Sequence, residues 1–193
     1  GLERAPQTLR EWRALPESYL ATVTNGAVFR DPVGKFSAIR KAILDFYPED
    51  YCLKKMVARA AIMAQSGQYN FSRTLKHGET VAAQLALSEF IKTGMSMIYL
   101  MNKRYMPYYK WSHRGLKDLP VLGSTAPLFT RLASDESAAG KQETVEEICA
   151  RVIEELRRRG LTGSTSDFLL DHCPEMMGHI QDPEIRRMHI MAE

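Results

Sequence analysis

Apolar residues recur three and four positions apart along almost the whole 193-residue chain, the spacing that gathers side chains on one face of an α-helix. Over 8–24 the series Leu9, Trp12, Leu15, Tyr19, Leu20 and Val23 is broken at Leu15-Pro16-Glu17, so two short helices are predicted, the second opened by proline. Asn25-Gly26 predicts a turn, and residues 27–30 an extended piece before Asp31-Pro32 and Gly34, enough for a tiny hairpin but not for a sheet. Phe36, Ile39, Ile43 and Phe46 predict a helix over 35–46. Pro48 opens a long helix reaching Leu75, with Leu53, Met56, Val57, Ala60 and Met63 facing inward, Gly67 as a weak point and His77-Gly78 closing it.

Residues 79–106 are apolar nearly all round, which marks the central member of a bundle, and Pro107 is expected to kink or end that helix. A helix over 108–119 stops at Pro120, and 123–139 reads as loop with one short helix near 128–132, Ser137 and Gly140 marking a linker. Over 143–159 Val145, Ile148, Cys149, Val152, Ile153 and Leu156 form one stripe, with Glu146 and Glu147 early and Arg157 to Arg159 late, as the helix dipole favours. Short helices follow over 167–177 and 183–191, the latter with Asp182 as N-cap. The fold class is therefore all-α: a helical bundle with long central antiparallel helices and short peripheral ones. It divides into N-terminal short helices over 1–47, a core bundle over 48–120 and a C-terminal helical extension over 121–193.

Composition narrows this picture only slightly. With 45% hydrophobic and 25% charged residues the chain is an ordinary folded protein. Its most apolar stretch, 81–101, is interrupted by Gln84, Glu89 and Lys92, so a buried helix is expected there instead of a membrane span. Three widely spaced cysteines, Cys52, Cys149 and Cys173, suit a reducing compartment, and the expected location is cytoplasmic. Gly1 stands where a native start would show Met, so a longer parent is expected. A net charge of +3 is too small to indicate a nucleic-acid partner, and any such case must rest on local clustering.

One cluster stands out. Between Asn102 and Arg114, Lys103, Arg104, Lys110, His113 and Arg114 alternate with Tyr105, Tyr108, Tyr109 and Trp111. Cations neutralise phosphate and flat rings stack on a base or sugar, so a nucleotide-like ligand would use both; the competing reading is a helix junction with packed rings and solvated cations. On the preceding helix Gln65, Tyr69, Arg73 and Lys76 share a face and are placed to meet that cluster across the bundle. A polar line, Glu89, Lys92, Ser96, Tyr99 and Lys103, crosses the apolar rod; it either faces solvent, pairs internally, or lines a ligand groove.

The segments Gly67-Gln68-Tyr69-Asn70-Phe71-Ser72-Arg73 and Asn102-Lys103-Arg104-Tyr105-Met106-Pro107-Tyr108-Tyr109-Lys110-Trp111, closing on Leu119-Pro120, resemble a largely uncharacterised bacterial family of helical domains. In that family the helical part follows a nucleotidyltransferase domain of the kanamycin-nucleotidyltransferase kind. The likeness covers about 15–120 and is weak after Gly140. It implies a helical region that binds the nucleotide or a small anionic acceptor substrate beside a catalytic domain of the same parent chain. The ligand-binding residues would be Tyr69, Arg73, Glu89, Lys103, Arg104, Tyr108, Tyr109, Lys110, Trp111 and Arg114, with Glu89 the carboxylate placed to act as a base toward an acceptor hydroxyl.

Catalysis in such enzymes needs a Gly-Ser turn followed by alternating carboxylates that hold magnesium on the nucleoside triphosphate. The nearest match, Gly123-Ser124 with Asp135-Glu136, has adjacent carboxylates and no strand to align them, and Gly163-Ser164 with Asp171 is no better. This chain is therefore expected to hold no catalytic residue and no cofactor; magnesium, the nucleoside triphosphate and the transfer machinery would belong to a domain upstream of Gly1. His172, Cys173, His179 and His189 match no common zinc spacing, so no metal is expected either. Two other functions compete. One is an RNA-binding module, whose cleaving version is weakened by the wide separation of Arg104 and His113; the other is a dimerising bundle joined through Met95, Met97 and Met101.

Overall fold

The structure, a computed structural model, describes residues 3–193, so Gly1, on which the expectation of a longer parent rests, lies outside the described residues. Helix α1 (Leu9–Arg13) begins in a capping box: the Thr8 hydroxyl accepts from the Glu11 N–H and the Glu11 carboxylate accepts from the Thr8 N–H. Helices α2 (Glu17–Thr24) and α3 (Lys35–Leu44) follow, joined by a loop without the small hairpin that the turn residues suggest. Arg40 braces the start of this loop: its guanidinium donates to the carbonyls of Val23, Thr24 and Gly26 at 3.2, 3.0 and 2.6 Å.

The long helix expected from Pro48 is present as one continuous rod with a change of winding inside it. Helix α4 (Glu49–Met63) passes into a π-helical segment, Ala64–Phe71, and then α5 (Ser72–Lys76). Gly67 sits inside the widened turn, where a Cβ would lie only 2.3 Å from the Phe90 ring. The glycine is a packing requirement, because the fully buried Phe90 occupies the space a side chain would fill. The rod reverses at Gly78, at a φ of +75°, where the N–H groups of Gly78 and Glu79 satisfy the carbonyls of Leu75 and Thr74. Helix α6 (Thr80–Met101) then returns along it, making the central antiparallel pair.

Several boundaries differ from the sequence expectation. Helix α6 ends at Met101 and not at Pro107: Asn102 caps it and Lys103 takes the left-handed conformation, φ +50°. Helix α7 (Tyr109–Leu116) starts beyond the extended piece 104–108. The stretch read as loop is mostly helix: a 3-10 turn, Gly123–Thr125, runs into α8 (Ala126–Ser134), which tolerates Pro127 because the first turn needs no donor there. Ser137 and Gly140 do not form a linker. The Ser137 hydroxyl caps α9 (Ala138–Arg158) by accepting from the Gly140 N–H at 3.0 Å. A 3-10 turn, Leu169–His172, α10 (Cys173–Gly178) and α11 (Pro183–Arg186) complete the chain, and the last is shorter than the pattern over 183–191 suggests.

Among the described residues there is no strand, and no helix is long and apolar enough to cross a membrane. One hydrophobic cluster runs from Trp12 to Ile185 and takes in side chains from either side of residues 47 and 120. Gln68 stitches the C-terminal part to the central rod: its amide donates to Glu146 at 2.7 Å and to the Asp167 carbonyl at 2.8 Å, and accepts from the Leu169 N–H at 2.9 Å. Met95, Met97 and Met101 are buried in this core, so the subunit contact expected of them would require unpacking the bundle.

Candidate functional site

The extended piece between α6 and α7 divides two concavities that share Pro107 and Tyr108. Its course is fixed at both ends. Asn102 donates to the carbonyls of Ile98 and Val121 at 2.7 and 2.9 Å and accepts from the Val121 N–H at 2.9 Å, tying the end of α6 to the turn after α7. The N–H groups of Lys103 and Arg104 bond the carbonyls of Leu100 and Tyr99, a Schellman closure with lysine where glycine is usual. Tyr105 turns inward: its hydroxyl donates to the Ile43 carbonyl at 2.8 Å and its ring packs against Phe46 and Tyr47.

The outer groove, about 1120 Å3, is lined by Lys103, Arg104, Tyr108, Trp111 and Arg114 together with residues of α2. Trp111 and Tyr108 are about half exposed, and the Arg114 guanidinium lies 5.0 Å above the Trp111 ring. Asp118 is the one carboxylate among the described lining residues, against three cations. An anion with a flat body fits both features.

The inner cavity, about 380 Å3, has Tyr108, Tyr109, Glu89 and Lys92 at its rim and Arg59, Ser96, Glu17 and Glu193 deeper in. Glu89 pairs loosely with Lys92 at 3.7 Å and accepts from the Thr93 hydroxyl at 3.3 Å, and it shares the cavity with two further carboxylates. Arg59 donates to the Ser96 hydroxyl at 2.9 Å and to the Glu193 carboxylate at 2.6 Å, while Lys55 takes the other Glu193 oxygen at 2.7 Å. Despite the opposing effect of burial, the Arg59 and Lys55 charges hold the Glu193 carboxyl down at about 2. Burial pushes the Glu17 carboxyl above its ordinary value, against the pull of Lys55 and of the Met106 N–H it accepts at 2.9 Å.

The polar line on α6 is thus divided. Glu89 and Lys92 pair at the surface, Ser96 serves Arg59, the Tyr99 hydroxyl donates to the Ser112 carbonyl at 2.8 Å, and Lys103 lies past the helix end in the outer groove. Tyr69 and Arg73 line neither concavity: Arg73 donates to the Tyr69 hydroxyl and stacks on its ring at 5.2 Å. Lys110 points to solvent from α7 and also lines neither.

The sequence pattern does not single out Arg59, Lys55, Lys54, Glu17 or Glu193 as site residues. A signal existed in part, since Lys55 and Arg59 stand four apart on a helix whose other residues beyond Lys54 are apolar apart from its acidic first turn. Nothing local indicates that Glu193 meets Arg59 across 134 residues.

The carboxylates that follow the two Gly-Ser pairs are engaged in local hydrogen bonds. Asp135 accepts from the Ser137 N–H at 2.8 Å, next to the start of α9, and Asp171 accepts from the Ser166 hydroxyl at 2.6 Å. His172 is buried between the Thr162 hydroxyl and the Ser166 carbonyl, at 3.0 and 2.9 Å. Among the described residues no three His, Cys, Asp or Glu side chains gather as metal ligands. Burial pushes the thiols of Cys52 and Cys173 up to about 11 and about 12, which leaves them poor nucleophiles.

Comparison with known protein families matches residues 12–112, just over half of the chain, to a domain of unknown function (DUF4037). The matched region holds most of both concavities' walls but stops short of Arg114 and Glu193. No curated protein and no solved structure matches the chain.

Proposed function

Since the chain belongs to the DUF4037 family, whose function is unknown, we propose that it is the nucleotide- or substrate-binding helical region of a nucleotidyltransferase-like protein, with the outer groove as the binding place. The observation that supports this is the shared wall formed by Lys103, Arg104, Arg114, Tyr108 and Trp111, cations and rings facing one space with a single opposing carboxylate among the described lining residues. The guanidinium and ammonium groups take phosphate or another anionic group, and the exposed rings take the flat part of the ligand. Lys103 adds weight, because a lysine held at φ +50° where glycine would rest without strain implies a use for its side chain. In this reading the catalytic carboxylates and their magnesium belong to an upstream nucleotidyltransferase domain, and no step of the transfer is carried by this chain.

Calorimetric titration with ATP and CTP, on the chain alone and joined to its natural upstream region, tests the reading. Binding should weaken about tenfold or more in Arg104→Ala and Trp111→Ala, each worth one charged contact or one stacked ring, with melting temperatures unchanged since both side chains are exposed. Absence of heat in the joined protein would refute it. Tighter binding to single-stranded RNA, falling steeply with added salt, would favour the RNA-binding alternative.

A further inference from the structure

The segment after α11 is fastened to the bundle chiefly through charge. Beyond Arg186 it forms no helix, His189 is exposed, and Met188, Ile190 and Met191 are only partly buried. Four cations from the N-terminal half meet it. Lys55 and Arg59 hold the Glu193 carboxylate, Lys54 donates to the carbonyls of Ile190, at 3.0 Å, and Ala192, and Arg13 donates to the Glu193 main-chain oxygen at 2.9 Å.

The cations of this site are deeply placed, whereas their partner is not. The side chains of Lys55 and Arg59 are 8% and 12% exposed, and that of Glu193 is 32% exposed. Lys54 is fully buried against neutral carbonyls, and burial lowers its affinity for a proton. Removing Glu193 would leave Glu17 as the remaining carboxylate among the inner cavity's deep residues, and Glu17 spends one oxygen on the Met106 N–H. Two nearly buried cations would then share that one carboxylate, which burial already biases toward its neutral form, a state that favours uptake of an anion. The Ser96 hydroxyl already orients Arg59, and the cavity of about 380 Å3 opens beside it toward Tyr108 and Tyr109.

We propose that Lys55 and Arg59, with Ser96 positioning Arg59, form an oxyanion-binding site at the floor of the inner cavity, in which the Glu193 carboxylate stands in for the carboxylate or phosphate of a small-molecule ligand. That ligand enters by displacing residues 188–193. Because the segment is tethered, its carboxylate is present at an effective concentration on the order of millimolar, so the intact chain resists weak anions and admits those that also use the cavity walls. The inner cavity shares Pro107 and Tyr108 with the outer groove but none of its cations, so the two assignments are tested by different variants and stand or fall separately.

The test compares three proteins: the full chain, the chain ending at Arg187, and Glu193→Gln. Each is titrated calorimetrically at low ionic strength with inorganic phosphate and, separately, with glutarate. The shortened chain and Glu193→Gln should bind at least one of these anions tenfold or more tighter than the full chain, and the better anion identifies the ligand's acidic group. Arg59→Gln in the Glu193→Gln background should abolish the gain. A synthetic peptide of residues 188–193 should bind the shortened chain and compete with the anion. Equal anion affinity in the full chain and Glu193→Gln overturns the proposal, whether or not the shortened chain folds, and so does a gain that survives Arg59→Gln.

Discussion

Gly67 and Lys103 make opposite uses of the backbone. At Gly67 a methyl group would improve helix propensity by up to about 1 kcal/mol, yet it would sit 2.3 Å from the ring of a fully buried Phe90. Overpacking costs about 1–3 kcal/mol and prevails where neither wall can retreat. Gly67→Ala should therefore lower the urea midpoint, and Phe90→Leu in the same chain should recover part of the loss; an unchanged midpoint in the single variant would contradict the packing account. At Lys103 the strain is already present, with φ at +50°. Lys103→Gly should raise stability by roughly 0.5–1 kcal/mol in the same measurement, since glycine meets no Cβ penalty there, while weakening nucleoside triphosphate binding by removing one cation from the groove. A glycine variant that binds as well as the parent would remove Lys103 from the proposed site.

The junction of α6 and α7 depends on one side chain more than on either helix. Asn102 closes three hydrogen bonds between Ile98, itself and Val121, and a lysine rather than a proline follows it. Losing them strands partly buried backbone groups, so Asn102→Ala should cost about 1–3 kcal/mol by thermal or urea unfolding. Asn102→Asp keeps the acceptor for the Val121 N–H but loses both donors and places a negative charge at a helix C-terminus, so it should be at least as damaging. If Asp were tolerated and Ala not, the acceptor alone would be fixing the turn. This side chain also explains why the helix ends before Pro107. Proline is the conspicuous breaker in 102–107, but the αL closure at Lys103 stops the helix first, and its cause lies at Val121, across the intervening α7.

At the scale of the whole molecule, Glu193 ties the segment after α11 to the central rod through its side-chain carboxylate and to Arg13 of α1 through its main-chain oxygen. The carboxyl is depressed from an ordinary 4.5 to about 2, so its contribution is complete above pH 4.5 and is lost as the pH falls toward 2. The groups facing it are Lys55, Arg59 and Glu17, and the raised Glu17 carboxyl protonates first. Hydrogen exchange at residues 188–192 should accelerate across this range while the amides of α6 stay protected, and Glu193→Gln should show the fast exchange already at neutral pH. Uniform exchange in both proteins would mean that the segment is held by its partly buried apolar side chains instead.

The sequence alone determined what depends on near neighbours: helical periodicity marked the central pair, and local residue types marked the cap at Asp182, the reversal at Gly78, and the run of cations and rings after Asn102. Tertiary structure decided what depends on distant partners. It buried Tyr105 and opened Tyr108 and Trp111 within the same run, because a backbone direction fixed from Val121 selects which rings face Phe46 and which face the groove. It also brought Arg59 to Glu193: periodicity records which face a residue occupies, whereas charge acts through space between chain segments that no local pattern connects.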